Sequence, residues 1–425
     1  MQFIKKIIQN QLFKLTSLNS LSVIFKIGIG LITSKLLAIY IGPSGMALVG
    51  NFRNFLTSIE SFSTLGFQNG IIKYTAESKK DEFELKKIVA TVFIVLLSLA
   101  CVLSCVLYFF AMFFSNQIFG NNYNFSFVFK ALALVLPWYA ISVFLIAIIN
   151  GLGQFKRVII INILGNAIGL LVSIFMILNY KTTGALLSLV ISPALLFFVT
   201  FYFINKEINF FKTIRIHRFD FQILKNLSSY SLMALFSSVL GPLVLLAIRK
   251  NVIATVGLEQ AGFWETITRI SGYYMLFVTT ILSVYFLPKL TLAKNNLDTK
   301  HIFWSFYKTI LPVFVLLLIG IYFLRFYIVS LLFTESFLPV TNLFFWQLIA
   351  DVLKVAALVL GYQFFAKKLT LAFMLSEFFS LSVLYFCSLF FINQFKIEGA
   401  VMGQAFSNLI YLIVLSIYFR KSLIE

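Results

Sequence analysis

The chain has 425 residues, of which 60% are hydrophobic and 12% charged, with a formal net charge of +19. A soluble domain carries about 25% charged residues, so the composition excludes an ordinary water-soluble globule. It does not indicate a nucleic-acid partner either, because the basic residues are spread over alternate connections rather than gathered in one patch.

Apolar runs long enough to cross about 30 Å of hydrocarbon recur along the chain. They predict twelve spans, at 15–40, 43–68, 87–114, 125–149, 157–178, 183–204, 226–248, 259–287, 309–332, 340–365, 371–392 and 398–419. The N-terminal "MQFIKKIIQNQLFKL" is basic but has no small-residue cleavage site. It reads as a retained cytoplasmic segment, not a signal peptide. Span 1 carries Asn19, Ser22, Lys26 and Thr33 on one side, and Lys35 near its outer end. Span 2 places Arg53, Thr57, Glu60, Ser61, Thr64 and Gln68 on one helical face. Its other face, with Phe52, Phe55, Leu56, Ile59 and Phe62, suits lipid or a neighbouring helix.

Pro137 and Pro193 mark kinks in spans 4 and 6, and "GNAIG" at 165–169 reads as close helix packing. Pro242 lies near the outer end of span 7, ahead of Arg249 and Lys250 in the next connection. Span 8 carries Glu265, Arg269, Gly272, Thr279 and Ser283; span 9 holds Pro312. Span 10 carries Gln347, Asp351, Lys354 and Gly361, and span 11 adds Glu377. Trp264 and Trp346 fit an interfacial aromatic belt.

Charge at the bilayer centre costs about 2.5–3.5 kcal/mol on the insertion scale. The polar faces of spans 1, 2, 8 and 10 must therefore point at protein or water, and together they can wall an aqueous cavity. Asp351 and Lys354, three residues apart, read either as a structural ion pair or as part of an ion-coupling site. Glu60, Glu265 and Glu377 carry the same two readings. Lys35 and Lys250 read as cavity-facing cations or as side chains snorkelling to the outer interface.

Orientation follows from the basic residues. The N-terminus, the even-numbered connections with the span-end residues Lys87 and Arg157, and the C-terminus hold 23 Lys and Arg, whereas the odd-numbered connections hold four, Lys181, Arg249, Lys250 and Lys396. The positive-inside rule places both termini in the cytoplasm. The longest non-membrane piece divides the chain into a lobe at 1–205, a connector at 206–225 and a lobe at 226–425. The halves are related: "SKLLAIYIGPSG" places Gly42 seven residues after Lys35, and "RKNVIATVGLEQAG" places Gly257 seven after Lys250. The expected fold is an all-α polytopic membrane protein of two six-helix lobes, related by a parallel pseudo-two-fold repeat around a central cavity.

Catalysis has little to stand on. Cys101, Cys105 and Cys387 lie within apolar helices and read as packing residues; His217 and His301 are far apart in connections. There is no metal constellation, no phosphate loop and no Ser-His-Asp candidate. No catalytic residue, metal or cofactor is expected.

The strings "LLAIYIGPSGMALVGNFRNF", "GFQNGIIKYTAE", "GFWETITRISGYY", "SVYFLPKL" and "FFWQLIADVLKVAALVLGYQFFAKK" resemble the O-antigen translocases of the Wzx type, notably the enterobacterial common antigen flippase branch. This family belongs to the multidrug/oligosaccharidyl-lipid/polysaccharide (MOP) exporter superfamily. The resemblance runs nearly end to end. It implies two six-helix lobes and transfer of an undecaprenyl-diphosphate-linked oligosaccharide to the outer leaflet of the bacterial inner membrane. It also implies a proton or sodium ion as coupling ion, and a polysaccharide polymerase and chain-length regulator as partners. One departure is Gly272, which stands where the common antigen branch places an acid. A cation in a partly wetted cavity can hold a diphosphate by charge-assisted hydrogen bonds, which makes Arg53, Lys26 and Arg269 the expected head-group contacts. Two rival readings remain: a multidrug or organic-cation antiporter, which favours an acid-dominated cavity, and a membrane polysaccharide polymerase, which needs a larger outward loop.

Overall fold

The structure, a computed structural model, describes residues 11–79, 81–206 and 219–424, apart from the side chains of 11–20, 226 and 228–230. The extreme N-terminus, Lys80, Lys212, Arg215, His217, Arg218, the Asn19 side chain and most of the 206–225 connector lie outside the described residues.

The regular elements described are helices: α1 Gln11–Ser63, α2 Gln68–Glu77, α3 Glu82–Phe109, α4 Ala111–Phe119, α5 Ser126–Gly151, α6 Phe155–Asn205 and α7 Phe221–Val256. There follow α8 Leu258–Ile281, a π-helical turn at Leu282–Phe286, α9 Leu287–Leu292, α10 Asn296–Leu332, a 3₁₀ segment at Glu335–Leu343, α11 Phe344–Ala366, α12 Thr370–Tyr418 and α13 Arg420–Ile424. Among the described residues, nine helical stretches are long and apolar enough to cross a membrane. This is a multi-pass membrane protein. Three long helices, α1, α6 and α12, each contain one backbone break, at Gly42, Lys181 and Lys396. These breaks fall between predicted spans 1 and 2, 5 and 6, and 11 and 12.

Local chemistry accounts for some of the ends. Asp81 starts α3 by accepting hydrogen bonds from the backbone N–H of Phe83 and Glu84, and Asn295 starts α10 by accepting from Asp298. Gly42 has φ +64° and is followed by Pro43, so the left-handed break is taken by the residue that tolerates it and the next helix restarts on a fixed φ.

The repeat is visible in the backbone. Gly42 and Gly257, Gly153 and Lys368, and Lys181 and Lys396 all have positive φ, and each pair lies 215 positions apart. Around the second pair the hydrogen bonds also correspond: Gln154 donates to the Ile149 carbonyl, as Leu369 does to Phe364. Three residues beyond the third pair stand Gly184 and Gly399. A Cβ there would lie 1.8 Å from the Met176 carbonyl oxygen and 2.1 Å from that of Phe391, so both turns require glycine.

By contact the chain forms two compact units, Met1–Leu36 with Phe52–Val239, and Leu37–Asn51 with Leu240–Glu425. These bounds differ from the expected division at 1–205 and 226–425. The reason is close packing by small residues, which drives helix association where lipid is as apolar as the side chains. In the first unit Gly66 lies against the backbone of Ser231 and Leu235, and Ser58 donates 3.0 Å to the Val239 carbonyl, which ties the start of α7 to α1. In the second unit Gly262 lies so close to Pro43 that a Cβ would be 1.9 Å from its carbonyl oxygen.

Candidate functional site

The first unit contains a cleft of about 510 Å³ between the N-terminal half of α1 and both arms of α6. Ser22, Lys26 and Thr33 reach it from α1; Asn162, Asn166 and Ser192 reach it from α6. Gly165 lets the α6 arms close on one another, a Cβ there falling 2.7 Å from Leu196, and Gly169 lines the cleft floor. The "GNAIG" stretch therefore packs helices as expected and also shapes a cavity. Lys26 is exposed, and no Asp or Glu is among the described lining residues.

Further along α1, the expected face holds half-buried Arg53, Glu60 and Ser61 and exposed Thr57. However, α1 ends at Ser63, and the chain turns at Leu65 and Gly66, both at positive φ. Buried Thr64 therefore lies in the turn, and exposed Gln68 begins α2 instead of continuing the face. Glu60 accepts a hydrogen bond from Tyr139 of α5. On the opposite face Phe52, Phe55 and Leu56 are buried, Ile59 is half-buried and Phe62 is exposed. Phe52 and Phe55 are buried in a cluster with Phe114, Phe119 and Phe129, ring centroids 5.4–6.1 Å apart. This cluster of stacked and edge-to-face rings holds the helix in one rotation, which turns Arg53 and Glu60 to the other side.

In the second unit Glu265 is fully buried on α8 and lies between two arginines. Arg249 Nη2 is 2.7 Å from one carboxylate oxygen and Arg269 Nε is 3.4 Å from the other. Sequence placed Arg249 in an outer connection. Instead it is inside α7, 2% exposed, with its guanidinium 5.2 Å from the Trp264 ring centroid. Trp264 is itself buried, so it is not part of an interfacial belt. Gly50 completes this group: a Cβ there would sit 2.4 Å from a Glu265 oxygen and 2.6 Å from Arg249 Nη1. Trp346 is half-buried and Lys250 exposed.

Asp351 and Lys354 form no close ion pair among the described residues, although the Lys354 charge still acts on the carboxylate. Asp351 is 1% exposed and accepts hydrogen bonds from Ser271 Oγ at 2.7 Å, Tyr274 Oη at 2.5 Å and Gln347 Nε2 at 3.2 Å, whereas Lys354 is exposed. The rotation of α11 turns Asp351 towards α8 and leaves Lys354 on another side. Gly272, next to Ser271, has open space at its Cβ position. Glu377 is half-buried and interacts electrostatically with Tyr411; Lys35 is also half-buried. Among the described residues no group of His, Cys, Asp and Glu could hold a metal, and the three cysteines are unpaired.

A family model described as "Polysaccharide biosynthesis protein" matches residues 36–342. The chain belongs to this family. The matched region includes Arg53, Glu60, Lys250, Glu265 and Arg269; Lys26, Lys35, Asp351, Lys354 and Glu377 fall outside it. A relative named Lipid III flippase, from Escherichia coli (strain K12), is 29% identical over 402 residues, covering 92% of this chain and 94% of that protein. An inward-facing multidrug resistance MATE transporter of the MOP superfamily matches with a TM-score of 0.78 at 15% identity, covering 93% of this chain and 94% of that one. A second MOP transporter, from Pyrococcus furiosus and described as having a binding pocket of reverse polarity, matches at 0.68 and 14%, covering 94% of each chain. The fold of this member of the family is thus the MOP transporter fold.

Two features of this family member escaped the sequence reading. Arg249 carried no signal, since an Arg-Lys pair at a predicted span end reads as interfacial. Tyr139 and Tyr274 did carry one: a phenol inside an apolar span needs a hydrogen-bond partner.

Proposed function

We propose that the chain is a flippase that carries an undecaprenyl-diphosphate-linked oligosaccharide from the inner to the outer leaflet of the bacterial cytoplasmic membrane by alternating access, with both termini cytoplasmic. The observation that carries this reading is the cleft of the first unit. It presents Ser, Thr and Asn side chains together with Lys26, and no carboxylate among its described lining residues. Hydroxyl and amide groups suit the hydrogen bonding of a glycan, and an ammonium suits a diphosphate. An organic cation would find no counter-charge there, which disfavours the multidrug reading despite the shared fold. The Lipid III flippase relative supports the same class of cargo.

The polar head group is what needs a path, because the lipid tail is already soluble in the bilayer. Lys26 and Arg53 of the first unit are assigned to the diphosphate, with Arg269 of the second unit as a separate candidate contact, and the neutral side chains of the cleft to the sugars. Movement then follows the alternating access of two-repeat transporters, and a polymerase and chain-length regulator consume the delivered product.

Deletion of the gene tests the function. Lipid-linked glycan should accumulate in the inner leaflet, and its chemical structure identifies the cargo. A deletion strain with normal surface polysaccharide and heightened sensitivity to cationic drugs would establish the antiporter reading instead.

A further inference from the structure

A notch of about 180 Å³ lies in the second unit, between the segment that leaves α8 and the first turns of α10. It is lined by Phe286, Lys289, His301, Ile302 and Ser305. Packing builds it. Phe286 is buried and meets Phe306 edge to face, ring centroids 5.1 Å apart, which clamps the π-helical turn against α10. The connection between them is pinned by Lys367 Nζ, which donates at 2.5 Å to the Ala293 carbonyl, and by the Asn295 cap of α10. The start of α10 is also held by α13: Ser422 Oγ bonds Asn296 at 3.1 Å, and Trp304 Nε1 donates at 3.2 Å to the Leu423 carbonyl. Lys289 and His301 therefore border one cavity from two fixed elements.

The charge of the notch is left uncompensated. No Asp or Glu is among its described lining residues. Lys289 Nζ donates at 2.5 Å to Tyr285 Oη, a neutral partner, which leaves two of its three donors. Among the described residues Lys289 and His301 are in no ion pair, and neither are Lys294, Lys300 and Lys308 around them. The acid of α10 next to His301, Asp298, accepts from the Lys294 backbone N–H at 3.0 Å at the helix start. The matching connection of the first unit differs. Its helix cap Asp81 corresponds to Asn295, which puts Lys87 where His301 stands. There the cations are met by acids of the same unit: Lys73 by Glu77 at 3.7 Å, Lys87 by Glu84 at 3.1 Å, and Lys86 by Glu82. One connection neutralises itself, and the other leaves its cations for an anion from outside the chain.

We propose that this notch binds the phosphate group of an anionic phospholipid in the cytoplasmic leaflet. This rests on the sidedness proposed above, but not on the cargo. Lys289 supplies charge-assisted hydrogen bonds, and the His301 ring and Ser305 hydroxyl supply further donors. Position selects a lipid over a free ion. Expected spans 8 and 9 are bounded at 287 and 309, so Lys289, His301 and Ser305 fall within about two helical turns of the hydrocarbon edge, at head-group level. Phe286 and Ile302 give the notch an apolar wall, and exposed Val284, Leu292 and Leu297 on the flanking segments suit acyl chains. Exposed Tyr285 and Trp304 fit the same interface. The notch is smaller than the sites of about 300 Å³ and more that enclose drug-sized ligands, which suits a head-group phosphate and not an oligosaccharide.

The test titrates full-length protein in detergent with dioleoyl phosphatidylglycerol and, separately, with dioleoyl phosphatidylcholine, and counts bound lipid by native mass spectrometry. Wild type should hold one phosphatidylglycerol in clear preference to phosphatidylcholine. Lys289→Gln/His301→Gln should weaken that binding about tenfold and leave phosphatidylcholine binding as it was. Lys87→Gln, in the self-neutralised connection, should change neither. If the double variant does not fold, Ser305→Phe, which fills the notch, carries the test and should remove the same lipid. Equal binding of the two lipids by wild type, or unchanged phosphatidylglycerol binding in the notch variants, would overturn the proposal. So would displacement of the lipid by inorganic phosphate alone, which marks a free-anion site. Undecaprenyl diphosphate displacing phosphatidylglycerol, and weakened by the same variants, would make the notch a cargo dock instead. If phosphatidylglycerol binding depends on these residues but an impermeant thiol reagent labels Asn295→Cys from outside, the leaflet is wrong and the lipid site stands.

Discussion

Arg249 and Glu265 meet at 2.7 Å on helices joined through Gly257, both sealed from the surface. The carboxylate is shared with Arg269 at 3.4 Å, so Glu265 offsets a structural cation on one side and orients a less buried one on the other. Arg249 Nε and Nη1 have no hydrogen-bond partner, which makes the guanidinium dependent on that single carboxylate.

Removing the carboxylate should therefore destabilise the second unit strongly. Glu265→Gln leaves the buried Arg249 charge uncompensated, a loss on the order of 3–5 kcal/mol, whereas Arg249→Met leaves Glu265 with Arg269 as its remaining cation and should cost less. Membrane abundance and thermal stability in detergent should both fall. The double change Arg249→Met/Glu265→Leu should recover much of the abundance while leaving Arg269 without its acceptor. Normal abundance in Glu265→Gln would show that the pair is not structural.

The helical turns at Lys181 and Lys396 give a second expectation. Gly184→Ala and Gly399→Ala force a methyl group into a carbonyl oxygen and should each cost about 1–3 kcal/mol. Lys181→Gly and Lys396→Gly should be neutral or stabilising, because φ near +50° is strained for a residue with a side chain. Melting of the purified variants distinguishes the two directions, and equal effects within a pair would confirm that the repeat extends to its turns.

Arg53 lies on the face of α1 turned away from the aromatic cluster. Arg53→Ala should abolish glycan export in a flippase-null strain while abundance stays near normal. Arg53→Lys should retain part of the activity, since charge survives and the bidentate fork does not. Lys26→Ala in the cleft should weaken export in the same assay. Full export by Arg53→Ala at normal protein level would withdraw its diphosphate role.

The sidedness assigned from basic residues is open to cysteine labelling. Asn122 and Asn295 are both exposed and lie in connections expected on opposite sides. With the native cysteines replaced, a membrane-impermeant thiol reagent added outside should label Asn122→Cys and not Asn295→Cys. The reverse pattern would invert the topology.

The amino-acid sequence alone determined the membrane class, the positions of the apolar runs and the repeat. These are local properties: hydropathy over one span, a glycine where φ must be positive, a proline where a helix restarts. Hence the breaks at Gly42 and Gly257 and the polar face of Arg53 and Glu60 were legible. Tertiary structure decided the partners. Arg249 and Glu265 are 16 residues apart, and Tyr274 and Asp351 are 77 apart. Such pairings depend on how each helix is rotated against its neighbour, and that rotation is set by small residues such as Gly50 and Gly262. The same rotation separated Asp351 from Lys354 and buried Trp264. Spacing along one helix states which side chains share a face, but only packing states what that face meets.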